Sequence, residues 1–274
     1  MSTAPLTLMA VHAHPDDEAS STGGILARYA DEGIRTVLVT CTNGELGDGH
    51  EAVKPGEDGH DEAWVIATRR RELESSCEIL GVSDLEMLGY RDSGMMGWPQ
   101  NNASGSFWTA PVADVARRLS QLLERYRPQV VVTYDANGFY GHPDHIQAHR
   151  VTLAALEATP LADKLYFPAI AKSAMATFRE TLRSAGVEGP DDDSDGDWDF
   201  GVDDELIAAT VDCTSHTDKQ YAALAAHASQ ADSMFFLRLG VDVFSELMSR
   251  ETFIRAYDRT GGPTPESDLF AGLR

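Results

Sequence analysis

The sequence predicts an α/β fold in which a mostly parallel sheet is flanked by helices. Two observations support this. Short apolar runs alternate with longer segments of helical periodicity through the first 155 or so residues, which is the pattern of βαβ units. Histidines and carboxylates follow directly after two of the apolar runs. Because ligands bind at the carboxyl ends of the strands in open α/β sheets, we expect a functional site at that edge.

The first βαβ unit is predicted from its apolar runs and from the residues that end its helix. Residues 6–11 form an apolar run that predicts a buried strand, and a helix is predicted to begin at Gly23. Glu32 and Gly33 are typical of a helix end, and residues 36–41 predict the second strand. The same reasoning predicts, in order, a helix over 61–80, a strand over 85–90, a helix over 112–126, a strand over 130–134 and a helix over 146–158.

Two long polar segments lie beside predicted strand ends. Residues 43–59 and the segment from Arg91 to Ser106 lack periodicity, and loops of this length are usually functional or mobile. We expect them to form substrate walls. Beyond residue 158 the pattern is weaker, and it suggests strands at 164–167 and 207–211 and a helix over 217–229 near the site.

The length and charge of the chain limit its class. At 274 residues, we expect a single domain over residues 1–274. The formal net charge of -22 argues against nucleic acid and anionic membranes, because phosphate binding needs clustered basic residues. No apolar run is long enough for a membrane span, and residues 1–5 lack the features of a signal peptide. These observations predict a cytoplasmic protein. They do not determine whether it is a monomer or a homo-oligomer.

Three further patterns in the sequence limit the kinds of site that it can form. The three cysteines are widely spaced, which argues against a disulfide framework and favours buried, inert thiols. No glycine-rich phosphate loop follows the first strand. The acidic segment 191–199 resembles the opening of a calcium loop, but Val202 stands where the bidentate glutamate would be, so we expect a solvated loop.

His14 and Asp17 after the first strand, together with His145 after the 130–134 strand, form a candidate metal site. Zinc binds imidazole nitrogen and carboxylate oxygen, and catalytic zinc sites have three protein ligands and one open position. Asp16 lies outside this ligand set and could be the general base for a water whose pKa the metal lowers. A His-Pro-Asp sequence can also be a simple turn with a capping Asp, but two such motifs at two strand ends favour a metal site.

His142 and Asp144 remain for a second role. A histidine held by a carboxylate can polarise a carbonyl or donate a proton to a leaving amine. We therefore expect Asp144 to orient His142.

Taken together, residues 13–18 and 142–145 resemble the PIG-L, or LmbE-like, family of zinc-dependent N-deacetylases. The resemblance extends through residues 40–45, 69–72, 92–95 and 133–138, and more weakly through 219–230. It implies a Rossmann-like fold and a zinc ion. A site of this ligand type accepts several divalent ions, so iron(II) is a competitor. The resemblance also implies the metal and catalytic roles given above.

The resemblance adds four residues to the candidate site. Tyr140 matches a tyrosine that helps to stabilise an oxyanion, and its alternative is an aromatic residue that packs the loop. Arg69 and Asp92 match positions that hold sugar or inositol hydroxyls, although surface ion pairs would explain them too. His227 could reach the pocket from the C-terminal half, with a structural histidine as the alternative.

The implied reaction is hydrolysis of an N-acyl group, with acetyl expected, from an amino-sugar conjugate. A glucosaminyl-inositol and a mycothiol S-conjugate are both candidate substrates. Residues 266–272 are similar to the S-conjugate amidases, whereas residues 19–22 lack the lysine found there and are closer to the biosynthetic deacetylase. A tailoring deacetylase of a glycosylated natural product is the first alternative, and a metal-binding module without catalysis is the remote one.

Overall fold

The computed structural model describes residues 5–184, 201–230 and 236–274. The acidic segment 191–199, for which a solvated loop was predicted, lies outside them. Within these ranges, one sheet contains the strands β1 (Thr7–His12), β2 (Arg35–Thr42), β3 (Asp84–Tyr90), β4 (Val130–Val132), β5 (Lys164–Pro168), β6 (Ala209–Asp212) and β7 (Arg250–Asp258). Their order across the sheet is β3-β2-β1-β4-β5-β7-β6.

The first five strands of this order pair in parallel, as predicted. β7 pairs antiparallel with both β5 and β6, which makes the sheet mixed. The principal helices in the described ranges are α1 (Asp17–Asp31), α2 (Glu62–Leu80), α3 (Val112–Tyr126), α4 (Pro143–Ala158), α5 (Lys172–Ser184), α6 (Thr217–Ala226) and α7 (Gly240–Met248).

Alternating strand residues divide the core into two layers. Leu8 and Ala10 of β1 pack with α1 and α2, whereas Met9 and Val11 pack with α3 and α4. Successive side chains of a strand point to opposite faces of the sheet, and both faces of β1 are covered. This explains why its sequence is a continuous apolar run rather than an alternating one.

Local end signals set several boundaries as predicted. The carboxylate of Asp61 accepts hydrogen bonds from the backbone of Ala63 and Trp64 at 3.0 and 3.2 Å, which caps the start of α2. Gly81 ends the helix with a φ of 74°, a conformation that glycine adopts without steric cost.

Other boundaries differ from the predictions. α1 begins at Asp17 rather than Gly23, so part of the first motif lies on the helix itself. α4 begins at Pro143 rather than residue 146, because proline fits the first helical position. β4 is shorter than predicted and ends at Val132. α6 ends at Ala226 rather than 229.

The elements predicted from the sequence do not include α5, α7 or β7, and β7 lies inside the sheet between β5 and β6. Its alternation of buried and exposed side chains is irregular, which explains why no clear period marks it. The three cysteines are free and buried, as expected. Within the described residues, none of the helices combines the length and apolar character that crossing a membrane requires.

Candidate metal centre and active site

The two histidine motifs meet at the carboxyl ends of neighbouring strands β1 and β4. His14 follows β1, and Asp17 stands in the first turn of α1. His142 is the N-cap of α4, and His145 lies in its first turn. The parallel pairing of β1 with β4 therefore brings the motifs together at the predicted edge of the sheet.

His14, His142 and His145 form one buried cluster. The ring centroids of His14 and His142 are 4.6 Å apart, those of His14 and His145 are 5.3 Å apart, and those of His142 and His145 are 5.0 Å apart. One ring nitrogen from each lies within 4.8 Å of the others, so the histidines form a set of close donor atoms that contains His142 where the sequence predicts Asp17. Their exposed fractions are 7%, 6% and 2%.

Asp17 lies between the two predicted histidine ligands. Its Oδ2 is 3.4 Å from Nδ1 of His14, and its Oδ1 is 3.5 Å from Nε2 of His145. Burial raises the pKa of the Asp17 carboxyl, but the imidazoles of His145 and His14 outweigh this and hold the pKa well below its usual range. Asp17 is therefore an ionised ligand candidate at the centre of the cluster.

Tyr134 is a site residue to which sequence analysis gave no role. Its hydroxyl donates a hydrogen bond to Oδ2 of Asp17 at 2.6 Å and accepts one from the backbone N–H of Ala13 at 2.9 Å. Its ring stacks on that of His145 with centroids 4.1 Å apart. Tyr134 thus orients one carboxylate and one imidazole of the cluster, and its place just after the β4 apolar run was the available signal.

The side chains of His14, Asp17 and His145, here called the donor set, fit a divalent metal ion. Nδ1 of His145 is 3.2 Å from the carbonyl oxygen of Gly138, so this nitrogen carries the proton and Nε2 presents a lone pair. That Nε2 is buried and has no hydrogen-bond partner among the described residues. Metal-bound histidines usually donate their other N–H to such a carbonyl, and two imidazoles with a carboxylate match the ligands of catalytic zinc.

Asp144 does not orient His142 with its carboxylate, which corrects the sequence-based expectation. The carboxylate accepts hydrogen bonds from the backbone and hydroxyl of Ser93 and lies 3.2 Å from Nε2 of His14. His142 is held instead by the backbone of Asp144, whose N–H donates to Nδ1 of His142 at 3.1 Å. The reason is local: His142 is the N-cap of α4, and its ring accepts a free N–H of the first turn.

This contact also fixes the proton of His142. Because Nδ1 accepts a hydrogen bond, the proton of the neutral ring is on Nε2. Burial, with the nearby imidazoles of His14 and His145, lowers the pKa of His142 to about 3. His142 is therefore a neutral hydrogen-bond donor.

Asp16 lies beside the cluster and contacts Arg69. Its Oδ2 accepts a hydrogen bond from Nη2 of Arg69 at 2.9 Å, and 22% of its side chain is exposed. Burial raises the pKa of Asp16 to about 6, although the guanidinium of Arg69 opposes this shift. A carboxylate with a pKa near neutrality suits a general base.

Arg69 itself is 4% exposed. It donates to the carbonyl oxygens of Pro15 and Gly44 as well as to Asp16. The guanidinium therefore holds the loop that carries the first motif, and its predicted contact with substrate hydroxyls stays a prediction.

Asp92 and Tyr140 lie beside the histidine cluster. Oδ1 of Asp92 is 3.8 Å from Nε2 of His14, and Asp92 with His14 and Asp144 forms a second set of close donor atoms. The Tyr140 ring is 5.0 Å from that of His145, and Tyr140 is 48% exposed. Their predicted roles with sugar hydroxyls and with an oxyanion stay predictions.

His227 has the surroundings of a structural histidine, which was the alternative to its predicted place at the pocket. The residue is fully buried, and its Nε2 lies 2.7 Å from Oε1 of Glu18. Burial lowers the pKa of His227, but the Glu18 carboxylate outweighs this and raises it above the usual value. The ring fills the space between α6 and α1 and forms a buried ion pair there.

Comparison with known proteins agrees with the site. Residues 9–156 match the family model PIG-L, described as GlcNAc-PI de-N-acetylase. The chain is 43% identical to a 1D-myo-inositol 2-acetamido-2-deoxy-alpha-D-glucopyranoside deacetylase from Acidothermus cellulolyticus, covering 97% of this chain and 95% of that relative.

Among solved structures, an N,N'-diacetylchitobiose deacetylase from Pyrococcus horikoshii is 19% identical with a TM-score of 0.58, over 91% of this chain and 83% of that one. A 4-carboxy-2-hydroxymuconate hydratase from Pseudomonas putida is 20% identical with the same TM-score of 0.58, over 94% and 99% of the two chains. At these identities the structures show a shared fold, which hosts more than one reaction.

Proposed function

Because this chain belongs to the PIG-L family of de-N-acetylases, we propose that it removes the N-acetyl group of a glucosaminyl-inositol conjugate, with a divalent metal ion as cofactor. The products are acetate and the free amine. The near full-length similarity to a deacetylase of that substrate supports the substrate class. The metal is proposed as zinc, with iron(II) as the competitor, since this donor set accepts several divalent ions.

The observation that supports this function most directly is the position of Asp16 beside the donor set. Asp16 is next in sequence to Asp17, yet its carboxylate lies against Arg69 rather than between the histidines. It is also more exposed than the three buried ligand candidates. A structural metal would be fully ligated and would need no neighbouring base.

When bound, the metal ion supplies Lewis acidity to the amide oxygen and to the attacking water. Asp16 takes a proton from that water as the water oxygen attacks the amide carbon. Asp16 then returns a proton to the sugar nitrogen as the carbon–nitrogen bond breaks. Arg69 keeps Asp16 ionised and oriented.

The negative charge that develops on the amide oxygen needs hydrogen-bond donors. His142 presents an N–H at Nε2, since its Nδ1 is occupied by the backbone of Asp144. We assign it to this oxygen, with Tyr140 as the second donor. The other role predicted for His142, proton donation to the leaving amine, would require a protonated imidazolium ring.

We further propose that residues 1–274 act as one catalytic domain. The C-terminal half contributes strands to the same sheet, and His227 contacts the first motif directly. The alternative, in which residues 6–155 act alone, would remove the histidine that contacts Glu18.

The test is amine release from N-acetylglucosaminyl-inositol and, in parallel, from a mycothiol S-conjugate, using zinc-loaded, iron-loaded and chelated protein. We expect metal-dependent turnover of the first substrate. Turnover of the S-conjugate alone would indicate that the protein is a mycothiol S-conjugate amidase. Bound metal with no turnover of either substrate would contradict the proposed substrates and favour a tailoring deacetylase or a module without catalysis.

A further inference from the structure

A buried pair beneath the active site connects the two halves of the chain. His227, at the end of α6, contacts Glu18 in the first turn of α1 at 2.7 Å, and both residues are fully buried. The other ring nitrogen of His227 has no hydrogen-bond partner among the described residues. The hydrogen bond of this ring within the described structure is therefore to Glu18, and the ring also attracts the nearby carboxylate of Asp16.

The other oxygen of Glu18 reaches the proposed base. Oε2 of Glu18 accepts a hydrogen bond from the backbone N–H of Asp16 at 3.0 Å. Oε1 accepts from the hydroxyl of Ser76 on α2 as well as facing His227. A continuous chain of contacts thus runs from His227 through Glu18 to the backbone of Asp16.

The backbone of Asp16 needs such support. Its φ of 109° lies in the left-handed region that residues other than glycine rarely adopt. Conformations of this kind persist only where the surroundings hold them in place, and they are concentrated at active sites. Two of those restraints are the Glu18 carboxylate on the N–H of Asp16 and the Arg69 guanidinium on its side chain.

Packing alone does not account for the pair. The carboxylate of Glu18 is buried close to that of Asp16, and the two carboxylates repel each other. Apolar side chains of similar volume would fill the same space without that repulsion. What apolar side chains cannot supply is an acceptor for the N–H of Asp16.

We propose that Glu18 and His227 are positioning residues that hold the Asp16 carboxylate in its productive orientation. Glu18 acts directly on the Asp16 backbone, and His227 acts through Glu18. The inference rests on the proposed function in one respect, namely that Asp16 is the general base. It gives the C-terminal half of the chain a part in catalysis, although His227 does not touch the substrate.

The experiment compares His227→Leu, which removes the contact, with His227→Gln, whose amide can still donate to Glu18. We expect His227→Leu to lower kcat about 100-fold, the scale of a misplaced catalytic group, while KM and the bound metal stay unchanged. His227→Gln should recover most of the lost kcat. Glu18→Met should behave like His227→Leu.

Ser229→Ala is the matched control. Ser229 lies in the same segment and donates to Glu72 of α2 through its backbone and hydroxyl, but its contacts do not lead to Asp16. We expect its kcat to be that of the wild type. An equal loss in His227→Leu and Ser229→Ala would indicate general destabilisation and would overturn the inference.

A second comparison uses the Asp16→Asn background. If His227 acts through Asp16, adding His227→Leu should leave the residual rate unchanged. A further large loss would overturn the inference, as would wild-type kcat in His227→Leu alone. Where no residual rate can be measured, the kcat and KM of the single variants test the inference instead.

The two proposals fail separately. A wild-type protein that binds metal but hydrolyses no N-acetyl amino sugar would overturn the proposed function. An active wild type whose kcat is unaffected by His227→Leu and Glu18→Met would overturn this inference alone.

Discussion

Nε2 of His14 lies 3.2 Å from Oδ2 of Asp144, although 130 residues separate the two in sequence. A carboxylate at this nitrogen leaves Nδ1 of His14 facing Asp17. The contact therefore selects which nitrogen of His14 is offered to a metal ion. Groups that orient a metal-binding histidine in this way contribute strongly to metal affinity.

The first prediction follows from this contact. Asp144→Asn should weaken metal binding by about 10- to 100-fold, because His14 loses the carboxylate that orients it. The measurement is metal affinity by competition with a chelator of known strength. His142→Gln is the control, since we assign His142 to the substrate oxygen, and it should retain the metal. Wild-type affinity in Asp144→Asn would show that His14 is oriented by other groups.

The second prediction separates chemistry from metal binding. Asp16→Asn should lower kcat by about 10²- to 10⁴-fold, the usual contribution of a positioned general base. It should bind the metal as the wild type does, because its carboxylate faces Arg69 rather than the donor set. His14→Ala should lose the metal. Metal content and kcat measured on the same preparations test both, and near-normal activity of Asp16→Asn would refute the assignment of the base.

The third prediction concerns the close approach of β7 to α1. A Cβ atom at Gly24 would lie 2.7 Å from Cβ of Cys213 and 2.8 Å from Oε1 of Glu251. Gly24→Ala should therefore lower the free energy of unfolding by about 1–3 kcal/mol, as overpacking does. Ser21→Ala on the same helix is the control and should change it by less than about 0.5 kcal/mol. Denaturant unfolding measures both, and equal stability would mean that Cys213 and Glu251 can both move aside.

The fourth prediction concerns Glu251 and pH. Burial raises the pKa of the Glu251 carboxyl to about 8, although the N–H groups of Gly24 and Ile25 oppose the shift. The folded protein thus keeps a proton that the unfolded chain, with an ordinary value near 4.5, releases. The stability that this group contributes is fully present below about pH 4.5 and is lost as the pH rises toward 8.

Glu251→Gln should remove this dependence. Its stability relative to the wild type should rise between pH 5 and pH 8, because the amide has no proton to release. Tm measured across that range in both proteins is the test. Parallel Tm curves would show that Glu251 is ionised in the folded protein, held by its two backbone hydrogen bonds.

Much of the fold was predictable because its signals are local. Continuous apolar runs predict strands buried on both faces, and Asp61 and Gly81 mark the two ends of α2. β7 could not be predicted in the same way. Its place in the sheet depends on antiparallel pairing with β5 and β6, and a pairing partner leaves no periodic trace in the strand's own sequence.

The sequence by itself determined which residue types gather at the site. His14, Asp17 and His145 follow directly after β1 or β4 or lie in the first turn of the next helix, so the ends of two adjacent parallel strands bring them together. Only the tertiary structure decided their partners. Asp144 turns to His14, Tyr134 supports Asp17, and Glu18 pairs with His227. The physical reason is that buried hydrogen bonds depend on side-chain direction and on distances between elements far apart in the chain, neither of which is encoded in sequence spacing.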